Sequence, residues 1–321
     1  MRRADAPLAA GSVSLRLYPH ELGAEQIVDE LRRQAALADA AGFDGVLTSE
    51  HHGGFPGYLP SPLQAAGFLL EAMPRAWAAP APILLPLRHW SHVAEELAWL
   101  AARFPGRVGA GFAPGGLARD FELVGIPYAE RFARYREALP QVVAALRGGA
   151  PAPLAGDRAL AGCADRPLAL VVAAQTPAAV LRAARLGTGV LFDSLQTAER
   201  VRELGLAYRA AGGRGARIAI RQVWLGEPPA AELEGQLRFY RGYAEPEAQR
   251  HWGPGRGLVA ASDGAELAER LAGFAALAGC DALNLRVHAG GLAPARVREQ
   301  IERLGAEALP ALRRRLAGGI D

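Results

Sequence analysis

The stretch Gly45–Pro62, GVLTSEHHGGFPGYLPSP, decides the fold. Val46, Leu47 and Thr48 make a short β-branched and apolar run. It leads straight into Glu50, His51 and His52 and then a glycine-rich loop. A strand of this kind delivers two imidazoles and a carboxylate to its own C-terminal end. That end is where a parallel (β/α)8 barrel assembles its active site. Histidine has the ordinary pKa nearest neutrality, so the motif points to chemistry, and His51 is the candidate acid/base. Neighbouring residues on a strand face opposite ways, so His51 and His52 cannot readily share a metal. A metal would need a third ligand from His20, His89 or His288, and none is expected.

Working outward, eight strand-like runs each precede a helical stretch. The strands are expected at Ser12–Tyr18, Gly45–Ser49, Pro82–Pro86, Arg107–Phe112, Leu168–Ala173, Gly189–Asp193, Arg217–Leu225 and Ala282–Val287. Ile27, Leu31, Ala35 and Ala38 mark a helix over Glu25–Ala41 that Gly42 stops. Further helices are expected near Leu63–Glu71 and over Ser91–Phe104, Ala129–Leu146, Thr197–Ala211 and Pro294–Ala317. Ser91 reads as an N-cap, and Thr176-Pro177 as a cap and first helical residue running on to Leu186. Eight βα units predict a single (β/α)8 TIM barrel over 1–321, with insertions at the C-terminal face at about 147–167 and 227–279. The second of these carries Phe239, Tyr240, Tyr243 and Trp252. Long excursions at the C-terminal face of a barrel cover its site. A doubly wound open sheet is the competing fold, but Tyr18-Pro19-His20-Glu21 follows the first strand where a glycine fingerprint would stand.

Composition narrows the chemistry. All 36 basic residues are arginine, so no lysine is available for a Schiff base or a Walker A loop. The net charge of +3 is small and the arginines are scattered among acids, which gives no nucleic-acid face. No apolar run reaches the roughly 18 residues of a membrane span. Met1–Asp5 starts no secretory signal, so a cytoplasmic location is expected. Cys163 and Cys280 lie far apart and read as free thiols.

Three other segments reach the same barrel mouth. Gln175-Thr176 sits at a strand-to-helix junction, where backbone N–H groups favour an anion or simply a helix cap. The run Gly106–Gly116 is glycine-dense, suited to a flat ligand approaching the backbone or to a tight loop. Arg286, with Asn284 and His288 on the last strand, either binds an anionic substrate group or makes a structural ion pair.

Together these segments resemble the bacterial luciferase-like flavin monooxygenase family, over nearly the whole chain. The resemblance rests on SEHH at Ser49–His52, on ILLPLRHWSHVAEELAWLAARFPGRVGAGFAPGG from Ile83, on DFELVGIP from Asp120 and on VVAAQTPAAVLRAARLG from Val171. It implies a TIM barrel, usually dimeric, that holds reduced FMN at its C-terminal mouth. The FMN would come from a separate flavin reductase. It makes His51 the catalytic base and lines the flavin ring with Gly111, Ala113 and Gly116. It aligns the phosphate-binding pair with Gln175-Thr176. It also implies a cis peptide at Ala81–Pro82, beside the ring. Ala113 and Pro114 stand where the luciferases carry a cysteine and a phosphate-binding arginine, and Arg131 is the candidate replacement cation. Substrate contacts are expected from Tyr18, His20, Tyr58, Arg286 and His288, with Trp252 at the rim. The alternatives are a hydride-transfer enzyme that uses the deazaflavin F420 on the same barrel, and a non-catalytic flavin-binding relative.

Overall fold

The computed structural model describes residues 6–244, 249–250, 252 and 257–317. The reading of Met1–Asp5 lies outside these residues, as does part of the expected 227–279 insertion. Among the described residues, ten strands form one parallel sheet. They are β1 (Val13–Arg16), β2 (Gly45–Thr48), β3 (Trp77–Pro80), β4 (Ile83–Leu84), β5 (Gly109–Ala113), β6 (Ala169–Ala173), β7 (Gly189–Phe192), β8 (Arg217–Leu225), β9 (Leu258–Ala261) and β10 (Ala282–Arg286). The order runs β3-β2-β1-β10-β8-β7-β6-β5-β4, with β9 added to β8. A bridge between Ala78 and Val108 brings the two ends together, so the sheet curls into a nearly closed TIM barrel.

Helices separate the strands: α1 (Ala24–Ala41), α2 (Pro62–Ala72), α3 (Trp90–Arg103), α4 (Ala118–Glu122), α5 (Arg131–Ala145), α6 (Arg158–Gly162), α7 (Pro177–Arg185) and α8 (Ala198–Ala210). Then come α9 (Ala230–Tyr243), α10 (Gly264–Ala278), α11 (Pro294–Arg303) and α12 (Leu309–Ala317). A π-helical turn at Leu304–Ala308 joins the last two into one rod. Helix α1 buries Leu31, Ala35 and Ala38 and ends at Gly42, whose φ of 95° only glycine adopts freely. Thr176 caps α7 as expected, accepting from the Ala179 N–H at 3.3 Å, with Pro177 as the first helical residue.

The strands alternate between two cores. Val13, Leu15, Val46, Leu283 and Leu285 face the helices. Leu47, Trp77, Ala79, Ala81, Val171, Leu191, Ile218 and Ala282 fill the barrel, closed below by Leu8. A Cβ on Gly45 would lie 2.0 Å from the Trp77 indole, so the missing side chain of one strand makes room for the plug of the next.

Four expectations need correction. The third strand was expected at Pro82–Pro86; instead it begins at Trp77, breaks at a cis Ala81–Pro82 peptide and resumes over two residues. Trp-Ala-Ala-Pro has weak strand propensity, and it is the pairing with Gly45–Thr48 that makes it a strand. Ser91 is not the N-cap of α3. His89 is: its Nδ1 accepts from the Ser91 N–H at 3.3 Å and pairs with Ser91 Oγ at 2.7 Å. The helix expected from Ala129 begins at Arg131, after a 3-10 turn at Tyr128–Glu130. The cis bond itself is as expected, and both cysteines are free. The 147–167 segment, expected at the C-terminal face, instead runs from the end of α5 to the start of β6, because a helix-to-strand connection lies at the opposite end of the barrel from the mouth. The excursion after β8, which contains α9, is at the mouth.

Candidate active site

Strand β2 sorts its polar residues by alternation. Glu50 turns outward and is fully buried. Its Oε2 accepts from the Leu84 N–H at 2.7 Å, and its Oε1 accepts from His52 Nε2 at 2.8 Å and from Arg88. His52 is therefore a structural partner of Glu50. His51 turns the other way. Its Nδ1 lies 2.7 Å from Asp120 Oδ2, and Asp120 Oδ1 accepts from the His52 N–H at 2.9 Å. Asp120 is 0% exposed. A buried carboxylate on Nδ1 holds the proton there and leaves Nε2 as the basic nitrogen. Asp120 lies within the motif DFELVGIP, but nothing in its local sequence pairs it with a histidine 69 residues earlier.

The loop after β2 folds back over His51. Gly53 and Gly54 take φ of 62° and 70°, left-handed values that glycine adopts without strain. Phe55 and Tyr58 consequently sit against the His51 ring, at centroid distances of 4.7 and 4.5 Å. Helix α9 closes over them. Phe239 and Tyr243 pack on Phe55 at 5.2 and 5.0 Å, and Tyr58 donates to Tyr240 Oη at 3.3 Å. Burial pushes the Tyr240 hydroxyl up to about 12 and raises Tyr58 and Tyr243 as well, so all three stay neutral.

On the neighbouring arc, Tyr18 stacks on His288 at 5.5 Å and stands edge-on to Tyr58 at 5.3 Å. His20 donates from Nδ1 to the Leu292 carbonyl at 3.1 Å, and Gln34 donates to its Nε2 at 2.8 Å. Burial lowers the pKa of His20 and that of His288, the latter further through Arg286 and His20, so both rings are neutral. The cavity above them, about 500 Å³, is lined by His20, Pro56, Phe239, His288 and Leu292 among others. Arg286 forms no ion pair among the described residues. Its Nε donates to the His288 carbonyl at 3.0 Å, and its guanidinium lies 4.2 Å from the Tyr18 ring.

The expected cofactor residues occupy the opposite arc. Ala81 and Pro82 join β3 to β4, Gly111 and Ala113 lie on β5, and Gly116 follows in the open loop. Gln175 and Thr176 are exposed beyond β6. Arg200, which no local pattern marks, donates to the Gln175 carbonyl at 3.2 Å, pairs with Glu203 at 2.7 Å and has a buried Nε without a partner. Arg131 covers the Tyr128 and Phe132 rings, and its Nε is likewise buried and unpaired. Asp193, at the end of β7, accepts from Gln175 Nε2 at 3.5 Å, and burial raises its carboxyl. Trp252 makes a backbone bridge to Gln196. Among the described residues, no three His, Cys, Asp or Glu side chains gather as metal ligands.

The family model for luciferase-like monooxygenases matches residues 11–311. The chain belongs to the luciferase-like monooxygenase family. It is thus an oxidoreductase of that class, whose members act on small molecules. The F420-dependent glucose-6-phosphate dehydrogenase of Beutenbergia cavernae is 30% identical over 251 residues, 73% of this chain and 72% of that protein. Among solved structures, monooxygenase RslO1 from Streptomyces bottropensis superposes with a TM-score of 0.78 at 23% identity, covering 93% of this chain and 99% of that one. The oxygenating constituent of 3,6-diketocamphane monooxygenase from Pseudomonas putida, in complex with FMN, gives 0.72 at 16% identity, covering 94% and 98%. These two structural likenesses speak for the fold alone. Among the described residues, no helix of this luciferase-like enzyme is long and apolar enough to cross a membrane.

Proposed function

We propose that this enzyme is a flavin-dependent monooxygenase that uses reduced FMN and oxygen to oxygenate a small or medium-sized organic molecule. The observation that carries the reading is the Asp120–His51 pair beneath the aromatic cover of Phe55, Tyr58, Tyr240 and Tyr243. Asp120 holds His51 in one tautomer, so Nε2 can take or return a proton. The cover excludes water from the reacting centre. Reduced FMN, when bound, supplies the electrons that activate oxygen. Ala81, Pro82, Gly111, Ala113 and Gly116 are the residues proposed to meet its ring. For its phosphate, the exposed junction at Gln175 and Thr176 offers backbone N–H groups. Arg200, which donates to the Gln175 carbonyl and also pairs with Glu203, and Arg131 are the proposed cations in place of the arginine replaced by Pro114.

A second reading keeps the barrel and takes F420, transferring hydride without oxygen. It is favoured by the 30% identity to an F420-dependent dehydrogenase over most of the chain. Titrating the protein with reduced FMN and with F420, with oxygen uptake followed in parallel, separates the two. Tight FMN binding with substrate-dependent oxygen uptake is the expected result. Preference for F420 with no oxygen uptake would establish the second reading instead.

A flavin reductase partner and a homodimer belong to the same proposal. Phe68 on α2 and Trp99 on α3, 41% and 57% exposed, are candidates for the face a dimer would cover. Sedimentation of Trp99→Arg beside the wild type checks this: the variant is expected to sediment as a monomer.

A further inference from the structure

The barrel axis carries a charge problem that the acid/base pair does not touch. Arg16 and Arg286 are the last residues of β1 and β10, and they are register partners on these adjacent parallel strands. Their strand neighbours Leu15 and Leu285 face the helices, so both arginines point inward, toward the mouth. They are 2% and 3% exposed. Paired strands run roughly 5 Å apart, so the two side chains start as neighbours, and both guanidinium groups act on Asp193. Neither makes an ion pair among the described residues. Asp193 is the acid within electrostatic reach of both, and it is shared with Arg221, so one carboxylate faces three guanidinium groups. The neighbouring tyrosines are neutral and provide no counter-charge.

The hydrogen bonds leave a directed remainder. Arg16 donates Nε to Asn284 Oδ1 at 2.8 Å and Nη1 to Ser49 Oγ, and its Nη2 is buried without a partner. Arg286 donates Nε to the His288 carbonyl and is also hydrogen-bonded to the Tyr240 hydroxyl, and only its Nη2 is buried without a partner. His288 Nδ1 is a third unpaired buried nitrogen. Asn284 in turn donates to Ser14 Oγ at 3.0 Å, so the lower part of the network is closed and only its upper edge is unsatisfied. Unpaired buried charge is costly, and guanidinium donors match a planar oxyanion. The flat walls beside them are Tyr18, which meets the Arg286 guanidinium and stacks on His288, and Tyr58.

We propose that Arg16 and Arg286 form a seat for the acidic oxygen of the substrate, which is a planar conjugated molecule, such as a phenol, enol or aromatic acid, bound as its anion. The proposal rests on the reading of this mouth as an oxidoreductase site and names its substrate class. The seat lies on the β1–β10 arc, across the barrel from the residues proposed to hold the cofactor, and Arg286 holds the carbonyl of His288, which lines the cavity. An anionic substrate held there would lie between Arg286 and the His51 side of Tyr58, within reach of the acid/base pair.

The test uses 2-naphthoate and its neutral analogue 2-naphthamide, titrated calorimetrically into the full chain without cofactor and again with FMN or F420 present. Naphthoate is expected to bind at least about tenfold more tightly than the amide, with or without cofactor. Arg286→Gln and Arg16→Gln should each erase the preference while leaving naphthamide affinity unchanged, which also shows that the variants are folded. Equal binding of the two probes to the wild type would overturn the proposal without any variant. Displacement of naphthoate by bound FMN or F420 would also overturn it, because the seat would then belong to the cofactor's own anionic ring. Failure of both cofactors to bind while naphthoate still does would sink the FMN and F420 readings and leave the anion seat standing.

Discussion

At the scale of single residues, the site divides one short motif into unequal roles. Glu50 and His52 build the strand end, and His51 alone faces the mouth with Asp120 behind it. His51→Gln is expected to lower turnover about 10²–10⁴-fold with cofactor affinity unchanged, measured by steady-state kinetics beside cofactor titration. Asp120→Asn should also lower turnover, since an amide N–H presented to Nδ1 favours the wrong tautomer; unchanged turnover in this variant would remove Asp120 from the mechanism. The buried histidines set a pH limit. His20 and His288 are held below their ordinary value by burial, so they stay neutral in the native state while the unfolded chain takes protons below about pH 6.5. The unfolded state then binds more protons, and stability falls as pH drops from there, by at most about 1.4 kcal/mol per pH unit and per group. Urea midpoints at pH 7.5 and 5.5 should therefore differ less in His288→Gln than in the wild type, the carboxylates common to both cancelling in the comparison. The identity of His51 was legible because a strand pattern ran straight into it. Asp120 was not, because its role depends on a contact across the barrel mouth.

At the scale of elements, the β2 end, the loop after it and α9 act as one covered corner. Glu50 ties β2 to β4 through the Leu84 N–H and to the loop before α3 through Arg88. Glu50→Ala leaves these groups unanswered. The expected destabilisation is at the low end of about 3–5 kcal/mol, since Arg88 keeps some exposure, read as a shift in denaturant midpoint. Thr176→Ala removes the α7 cap and should cost about 1 kcal/mol in the same measurement. The helical periodicity of α1 and the Thr-Pro start of α7 could be read directly, because capping and amphipathic spacing are local properties. The His89 cap and the Trp77 strand could not. An imidazole caps only where its ring happens to reach the backbone, and Trp77–Pro80 is a strand only beside β2.

At the scale of the whole molecule, closure joins the ends of the chain. Asp44, at the start of β2, accepts from the Val13 N–H at 2.7 Å, and its Oδ1 lies 2.8 Å from Arg313 Nη2 on the last helix. Both side chains are nearly inaccessible, so Arg313→Met should cost about 3–5 kcal/mol and lower the unfolding midpoint of the entire barrel. Retention of the wild-type midpoint would mean that the last helix is held by apolar packing alone. By itself, the sequence determined the βα alternation, the barrel class, the strand that carries His51 and the glycine loop behind it, because periodicity, caps and breakers act within a few residues. The tertiary structure alone decided the partner of His51, the cover by α9, the cation at Gln175 and the paired arginines on the axis. Each of these arises where residues tens to hundreds of positions apart are brought to one end of the barrel, and no local pattern records which of them will meet.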